Sequence, residues 1–156
     1  MGINKIHDFM DTFGFGHKTH IDMAEERIGL LPSVEWKRKT HKQPWFPGET
    51  LITGIGQGFM LVTPIQLATA TSMLANKGLK LKPYLVEKIS INDKQAIQAQ
   101  PVLSRHVALK QNQYWDTIHD SMKNVVHAPY GTAYKLSRNL QYTMAGKSGT
   151  AQVYSI

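Results

Sequence analysis

A chain of 156 residues, of which 42% are apolar, can bury the core of one domain or a large part of one, which excludes an intrinsically disordered protein. The absence of cysteine excludes a disulfide framework and a thiolate metal site. The formal net charge of +7 is compatible with nucleic acid, an anionic surface or an acidic substrate as partner. No apolar run approaches the roughly 18 residues that a membrane span requires.

The first predicted element is an amphipathic helix. Apolar residues recur at helical spacing over residues 3–13 and stop at Gly14, a residue that commonly ends helices. The next loop contains His17, His20 and Asp22. Their spacing matches no diagnostic metal-binding pattern, so we interpret the histidines as solvated and predict no metal site.

Residues 29–53 are rich in proline and glycine, which predicts a long and mostly irregular connection. Such connections often cover a functional site. The densest basic run, residues 36–42, lies within this stretch, and we interpret it as a solvated surface.

The strongest local signal is Thr63-Pro64-Ile65-Gln66. A capping threonine, a proline at the first helical position and a glutamine three residues after the cap predict the start of a helix. We expect this helix to end at Gly78. The face expected to pack against a neighbour consists of Leu67, Ala68, Thr71, Leu74 and Ala75.

The second half of the chain predicts strands and then a helix. Residues 85–91 have the composition of a strand, a polar turn follows at residues 92–94, and a second extended stretch ends near Val102. Apolar residues at helical spacing over residues 115–126 then predict an amphipathic helix, which Pro129 closes.

The chemically distinctive residues lie in the last stretch, 144–153. The β-compatible composition around it predicts a strand with Gly149 in its interior, where a ligand can approach the backbone closely. Lys147 offers a positive charge, and Ser148 and Thr150 offer hydroxyl donors, so we predict a site for a carboxylate or an oxyanion. On these residues alone, a strand with a chance Lys-Ser-Gly sequence remains an alternative.

Gly146-Lys147-Ser148 is also the ending of a phosphate-binding P-loop. That motif requires a glycine five residues before Gly146, where this chain has Gln141. The residues after Ser148 do not begin a helix, so no helix amino terminus is available for phosphate. We therefore disfavour a P-loop.

Five blocks of sequence occur in the order seen in class B penicillin-binding proteins. They are Gly54-Ile55-Gly56-Gln57-Gly58, Thr63-Pro64-Ile65-Gln66-Leu67-Ala68, Ala75-Asn76-Lys77-Gly78, Gly131-Thr132-Ala133 and the stretch from Gly146 to Val153. Over nearly its whole length the chain resembles the second half of the transpeptidase domain of this family, and most closely the penicillin-binding protein 2 group that acts in cell elongation. Lys147-Ser148-Gly149 matches the Lys-[Ser/Thr]-Gly motif that the family shares with serine β-lactamases.

The resemblance implies a fold and an activity. The fold would be α/β (α+β), part of a penicillin-binding-protein transpeptidase or serine β-lactamase-like domain with helices packed on an antiparallel sheet. The activity would be a cofactor-free peptidoglycan D,D-transpeptidase, which also binds penicillin. By resemblance, Lys147 holds the electrostatics of the site and Ser148 and Thr150 bind the terminal carboxylate of the donor. The amide of Thr150, which follows Gly149, forms half of the oxyanion hole.

The family forms its acyl-enzyme on the serine of a Ser-x-x-Lys motif. None of the eight serines in this chain has a lysine three residues later. We therefore expect residues 1–156 to be a fragment of a single transpeptidase domain, inactive alone, with the nucleophile, the second motif and the membrane anchor upstream.

The resemblance also implies partners. These are peptidoglycan stem peptides ending in D-Ala-D-Ala, β-lactams, the remaining half of the domain, and a SEDS-type glycosyltransferase with the elongation machinery, at the periplasmic face of the bacterial inner membrane. The competing hypothesis is a non-catalytic basic module that binds nucleic acid through Trp36, Trp45 and the basic run. It is disfavoured because the aromatic residues are not interleaved through that run as a stacking surface requires.

Overall fold

The computed structural model describes residues 2–91 and 94–151, apart from the side chains of residues 94–96. The chain divides into two compact units, Met1–Val107 and Ala108–Ile156. Helices and antiparallel strand pairs confirm the predicted α/β (α+β) class. Within the described residues, no helix is both long enough and apolar enough to cross a membrane. The elements are α1 (Ile3–Thr12), α2 (Val34–His41), α3 (Pro47–Gly54), α4 (Pro64–Ala75), β1 (Leu79–Leu81), β2 (Lys88–Ile91), β3 (Lys94–Gln98), β4 (Leu103–His106), α5 (Gln113–His127) and α6 (Tyr134–Ser137).

The amino-terminal helix is confirmed as α1, which ends at Thr12. The amide of Gly14 donates to the carbonyl oxygen of Asp11 at 2.9 Å, and its φ of 88° is one that residues with a Cβ rarely adopt. Arg105 of β4 reaches the same helix end, with Nη1 at 3.1 Å from the Asp11 carbonyl oxygen. The helix dipole favours a cation at this position.

The prediction of an irregular connection over residues 29–53 is wrong, because the segment contains α2 and α3. Ser33 caps α2, its Oγ accepting a hydrogen bond from the amide of Trp36 at 3.0 Å. Pro47 is the first residue of α3. A proline is tolerated in the first turn of a helix, so its presence in the sequence did not exclude helices here.

Lys37 joins α2 to α3 in the interior of the first unit. Its side chain is 2% exposed, and its Nζ pairs with Oε1 of Glu49. The ammonium also lies 4.4 Å from the ring centroid of Phe46 and 5.7 Å from that of Phe59, within the range of a cation–π attraction. Burial alone would raise the pKa of Glu49, but hydrogen bonds from Lys37 and Phe46 outweigh it and hold the pKa below its usual value.

Helix α4 begins as predicted. Oγ1 of Thr63 accepts from the amide of Gln66 at 3.2 Å, and Oε1 of Gln66 accepts from the amide of Thr63 at 3.0 Å. This reciprocal pair is a capping box. Beyond the helix, Gly78 has a φ of 90° and donates its amide to the carbonyl oxygen of Met73 at 2.7 Å, which confirms its predicted role as terminator.

The predicted packing face of α4 is wrong. Leu67 on that face is 57% exposed, whereas Gln66 is only 2% exposed. Gln66 can be buried because its Nε2 donates to the carbonyl oxygens of His17 at 2.7 Å and Ile28 at 2.8 Å, so its amide group is satisfied. A hydrophobicity pattern cannot identify such a residue. The buried residues of the helix are Gln66, Thr69, Ala70 and Met73.

The strands form two antiparallel pairs, β1 with β4 and β2 with β3. The strand predicted over residues 85–91 is confirmed only for β2. The first residues of the predicted strand, Leu85 and Val86, do not pair with another strand, because their amides donate to the carboxylate of Asp22 at 2.6 and 2.9 Å. The second predicted extended stretch contains β3, and no sequence prediction covered the β1–β4 pair. The first two residues of the predicted turn, 92 and 93, lie outside the described residues.

The second unit is built on α5, which confirms the second predicted amphipathic helix. Trp115 and Val126 are each 2% exposed and anchor its buried face. After the helix the chain turns through residues 129–133 into the short helix α6.

Replacing Gln66 by leucine should lower the free energy of unfolding by roughly 2–4 kcal/mol, because leucine leaves the carbonyls of His17 and Ile28 and the amide of Thr63 without this partner. Urea denaturation measures the change. Thr71→Ala removes an exposed hydroxyl from the same helix and should change the free energy by less than about 0.5 kcal/mol. Equal effects of the two substitutions would contradict the assigned role of Gln66.

Candidate active site

The segment that carries the predicted site runs along α5 and is not a strand. Over residues 141–151 the chain has neither helix nor strand, so the predicted Lys147 strand in an antiparallel sheet is wrong for the described residues. Two of its amides bind α5 instead of a neighbouring strand: the amide of Gly146 donates to the Met122 carbonyl oxygen, and that of Met144 to Nε2 of His127, each at 3.0 Å. Residues 152–154 of the predicted strand lie outside the described residues.

The carboxyl-terminal end of α5 also organises the turn that precedes α6. The amide of Ala133 donates to the carbonyl oxygen of Val125 at 3.0 Å. The amide of Gly131 donates to the carbonyl oxygen of Ala128 at 2.8 Å. A Cβ on Gly131 would lie 2.3 Å from the Val125 carbonyl oxygen and 2.4 Å from that of Asn124. Only glycine can therefore approach the helix end this closely, which gives the Gly131-Thr132-Ala133 block a physical reason.

The four predicted site residues, Lys147, Ser148, Gly149 and Thr150, are all exposed. Nζ of Lys147 donates to the carbonyl oxygen of Ser148 at 2.7 Å and lies 3.3 Å from its Oγ. The cation and one of the two proposed hydroxyl donors therefore form one small cluster at the surface. A site of this kind can offer a positive charge and a hydroxyl to an incoming anion.

The loop residues first considered as metal ligands are engaged in structural contacts. Nε2 of His17 lies 2.6 Å from Oδ1 of Asp11. Hydrogen bonds from the amides of Val86 and Leu85 to Asp22 lower the pKa of its carboxyl group. Among the residues that the structure describes, no three His, Cys, Asp or Glu side chains are grouped so that they could hold a metal ion.

The basic run is a helix and only in part the expected solvated surface. Arg38 and Lys39 of α2 are exposed, and Nζ of Lys39 pairs with Oε1 of Glu35 at 2.7 Å, while Lys37 is buried. The ring of Trp36 lies against that of Phe59, with 5.2 Å between centroids. Lys37 and Trp36 are therefore engaged within the unit, which removes two of the residues that the nucleic-acid hypothesis required.

Sequence comparison decides the family. A sequence model of the penicillin binding protein transpeptidase domain matches residues 1–155. The chain belongs to this family. The peptidoglycan D,D-transpeptidase MrdA of Escherichia coli strain K12 is 42% identical over 156 residues, which make up 100% of this chain and 24% of that protein. The chain thus spans about a quarter of the length of the curated relatives it matches.

Solved structures of family members have the same fold. Pseudomonas aeruginosa PBP2, in a complex with WCK 5153, is 49% identical with a TM-score of 0.84, over 97% of this chain and 34% of that one. Helicobacter pylori PBP2, in a complex with MreC, is 35% identical with a TM-score of 0.81, over 98% of this chain and 27% of that one. These relatives confirm the resemblance to penicillin-binding protein 2 and give no support to a nucleic-acid module.

One residue near the site had no recognisable signal in the sequence. His127 is the last residue of α5 and accepts the hydrogen bond from Met144. A histidine at the end of a helix is ordinarily explained by the helix dipole, so sequence alone gives no reason to connect it with Lys147.

Gly131→Ala should destabilise the second unit by about 2 kcal/mol or more, because the new Cβ must displace the backbone carbonyls at the end of α5. Thermal denaturation followed by tryptophan fluorescence measures the loss, with Trp115 as a buried reporter on α5. Gly149→Ala is the matched control, since a Cβ there meets nothing within 4 Å. A Gly131→Ala variant as stable as Gly149→Ala would contradict the close approach of Gly131 to the end of α5.

Proposed function

We propose that residues 1–156 are part of one domain of a serine-type peptidoglycan D,D-transpeptidase of the penicillin-binding protein 2 kind, and that they carry the wall of its active site that receives the donor's carboxylate. The observation that supports this most directly is the exposed cluster of Lys147 and Ser148, with Nζ within 3.3 Å of Oγ, in a chain of this family. The relatives named as D,D-transpeptidases support the reaction class.

In the proposed reaction, a serine outside this chain attacks the carbonyl carbon of the D-Ala-D-Ala peptide bond. A tetrahedral oxyanion forms and collapses, D-alanine leaves, and the acyl group stays on the serine. An amine of a neighbouring stem peptide then attacks the ester, and the serine is released. A β-lactam enters the same site and acylates the same serine.

The residues of this chain act by electrostatics and by positioning. Lys147 stabilises the negative charge of the donor, and the hydroxyls of Ser148 and Thr150 donate to its terminal carboxylate. The amide of Thr150 donates one of the two hydrogen bonds to the oxyanion, where preorganised donors contribute most to the rate. Gly149 has open space where a Cβ would lie, which leaves its face of the backbone free for a ligand. We propose that no metal or organic cofactor takes part.

The partners follow from the same proposal. One relative is a PBP2 in a complex with MreC, and another belongs to a peptidoglycan synthase complex that coordinates polymerization and crosslinking. We propose that the intact protein works with a glycosyltransferase of the SEDS type and the elongation machinery, at the periplasmic face of the inner membrane. The stem peptide, β-lactams and the rest of the transpeptidase domain are its other binding partners.

The 156-residue chain alone should not be acylated by penicillin, because none of its serines has a lysine three residues later. Incubation with a fluorescent penicillin followed by denaturing electrophoresis tests this, with the intact Escherichia coli relative as the positive control. A labelled band that maps to one of the eight serines would refute the proposal that the nucleophile lies elsewhere.

In an intact enzyme containing this chain, Lys147→Ala should slow acylation by a β-lactam about tenfold to a hundredfold. A charge-assisted hydrogen bond contributes roughly 1.5–3 kcal/mol, and each 1.4 kcal/mol is about a factor of ten in rate. Lys147→Arg should keep part of the rate, because its charge is retained but its planar fork places the donors differently. The second-order acylation rate constant is the quantity to measure.

Ser148→Ala is the matched comparison, because it removes a neutral hydroxyl and should cost less than the loss of the Lys147 charge. Exposed Lys39, in α2, gives a control for charge alone: Lys39→Ala should leave the rate unchanged. A Lys147→Ala enzyme that is acylated as fast as the parent would overturn the assignment of the motif.

A further inference from the structure

Two hydrogen bonds attach the chain just before Lys147 to α5, and they differ in kind. The one from Gly146 to the Met122 carbonyl oxygen uses backbone atoms only, whereas the one from Met144 ends on the side chain of His127. We infer that His127 is a positioning residue for the carboxylate site at Lys147, Ser148 and Thr150. This inference rests on the function proposed above for that site.

The hydrogen bond from Met144 requires one particular tautomer of the His127 imidazole. A backbone N–H can only donate, so Nε2 of His127, 3.0 Å from the Met144 nitrogen, must carry the free lone pair. The tautomer that makes this hydrogen bond therefore carries its proton on Nδ1. An aliphatic side chain at position 127 would offer the Met144 amide no acceptor.

The order of the two attachments gives the course of the segment. Met144 binds the last residue of α5, and Gly146, two residues later, binds Met122, which lies five positions earlier in the helix. The segment therefore runs along α5 toward the helix amino terminus. It leaves α5 at Gly146, directly before Lys147.

The backbone of Gly146 also packs against α5. Val126, next to His127, is 2% exposed, so the last turn of α5 is held by the interior of the unit. A Cβ on Gly146 would lie 3.6 Å from Cγ2 of Val126, an ordinary contact distance, so the backbone of Gly146 lies close to this side chain. With only the Gly146 attachment, the segment could pivot about that point. The His127 attachment prevents the pivot and thereby fixes where Lys147 leaves the helix.

A purely structural role for His127 is disfavoured by its exposure. Its side chain lies at the surface, and substitutions at exposed positions usually change the free energy of unfolding little. The expected effect of losing the hydrogen bond is therefore local, on the position of residues 144–150. Such an effect should appear in the rate of acylation and in the local amide exchange, and not in the stability.

The test uses three substitutions of His127 in an intact enzyme that contains this chain. His127→Leu removes the acceptor. His127→Gln restores it, because Oε1 of glutamine is as many bonds from Cβ as Nε2 of histidine. His127→Asn carries its acceptor one bond closer, at the place of Nδ1, and serves as the matched negative control. Ser121→Ala, on α5 and exposed, controls for substitution in the helix itself.

Two quantities are measured for each variant: hydrogen exchange of peptides that cover residues 144–146, and the second-order rate constant of acylation by one β-lactam. We expect His127→Leu and His127→Asn to speed the exchange and to slow acylation about threefold to tenfold, within the factor of ten that about 1.4 kcal/mol corresponds to. His127→Gln should return both quantities to the values of the parent enzyme, and the thermal midpoint should stay unchanged in all three variants.

The outcomes separate this inference from the proposed function. Unchanged exchange in His127→Leu would overturn the hydrogen bond, and faster exchange with an unchanged acylation rate would overturn the positioning role. If His127→Leu also lowers the thermal midpoint, recovery of the acylation rate and the exchange in His127→Gln but not in His127→Asn still supports positioning. Equal behaviour of His127→Gln and His127→Asn refutes it. Failure of the proposed function would instead appear as an unchanged acylation rate in Lys147→Ala, independently of how the His127 substitutions change the hydrogen exchange of residues 144–146.

Discussion

The second unit depends on how the backbone groups at the end of α5 are satisfied. The last four carbonyls of a helix have no partner within it, and the chain that follows supplies donors to two of them: Ala128 to Asn124 and Ala133 to Val125. The segment before Lys147 then adds two more donors. The amide of Gly146 binds the carbonyl oxygen of Met122, and the amide of Met144 binds the side chain of His127. The chain between residues 128 and 146 is thus tied to the helix at both ends. The proposed site begins where the second attachment ends.

Buried polar side chains have the corresponding role in the first unit, where loops are long and strands short. Gln66 holds the loops at His17 and Ile28, and Glu26 accepts from the amide and hydroxyl of Thr19, each at 2.6 Å. Burial alone would raise the pKa of Glu26, but the hydrogen bonds from Thr19 and His20 together lower it. A carboxyl whose folded pKa is lowered contributes stability above its unfolded pKa, and this stability is lost as the pH falls through the folded value. Ionised and amide side chains therefore help to hold the loops of this unit, in addition to its buried apolar side chains.

The sequence was sufficient where local chemistry decides the structure. Helices α1, α4 and α5 were predictable, because apolar spacing and a capping box act within a few residues. Helices α2 and α3 were not predicted, because prolines that precede or begin a helix also occur in irregular chain. The buried face of α4 was not predicted, because Gln66 depends on carbonyls 38 and 49 residues away. The Lys147 segment has the composition of a strand, but a strand needs a neighbour to pair with, and the amides of Met144 and Gly146 bind α5 instead. Local composition cannot supply that information.

The functional account depends on one claim, that Lys147, Ser148 and Thr150 receive a carboxylate next to the acylated serine. The most direct measurement is a crystal structure of an intact enzyme containing this chain, acylated by a penicillin. The account predicts the carboxylate of the bound β-lactam within hydrogen-bonding distance of the hydroxyls of Ser148 and Thr150, with Nζ of Lys147 close by and the acyl oxygen at the Thr150 amide. A carboxylate bound by other residues, with the acyl oxygen turned away from the Thr150 amide, would contradict it.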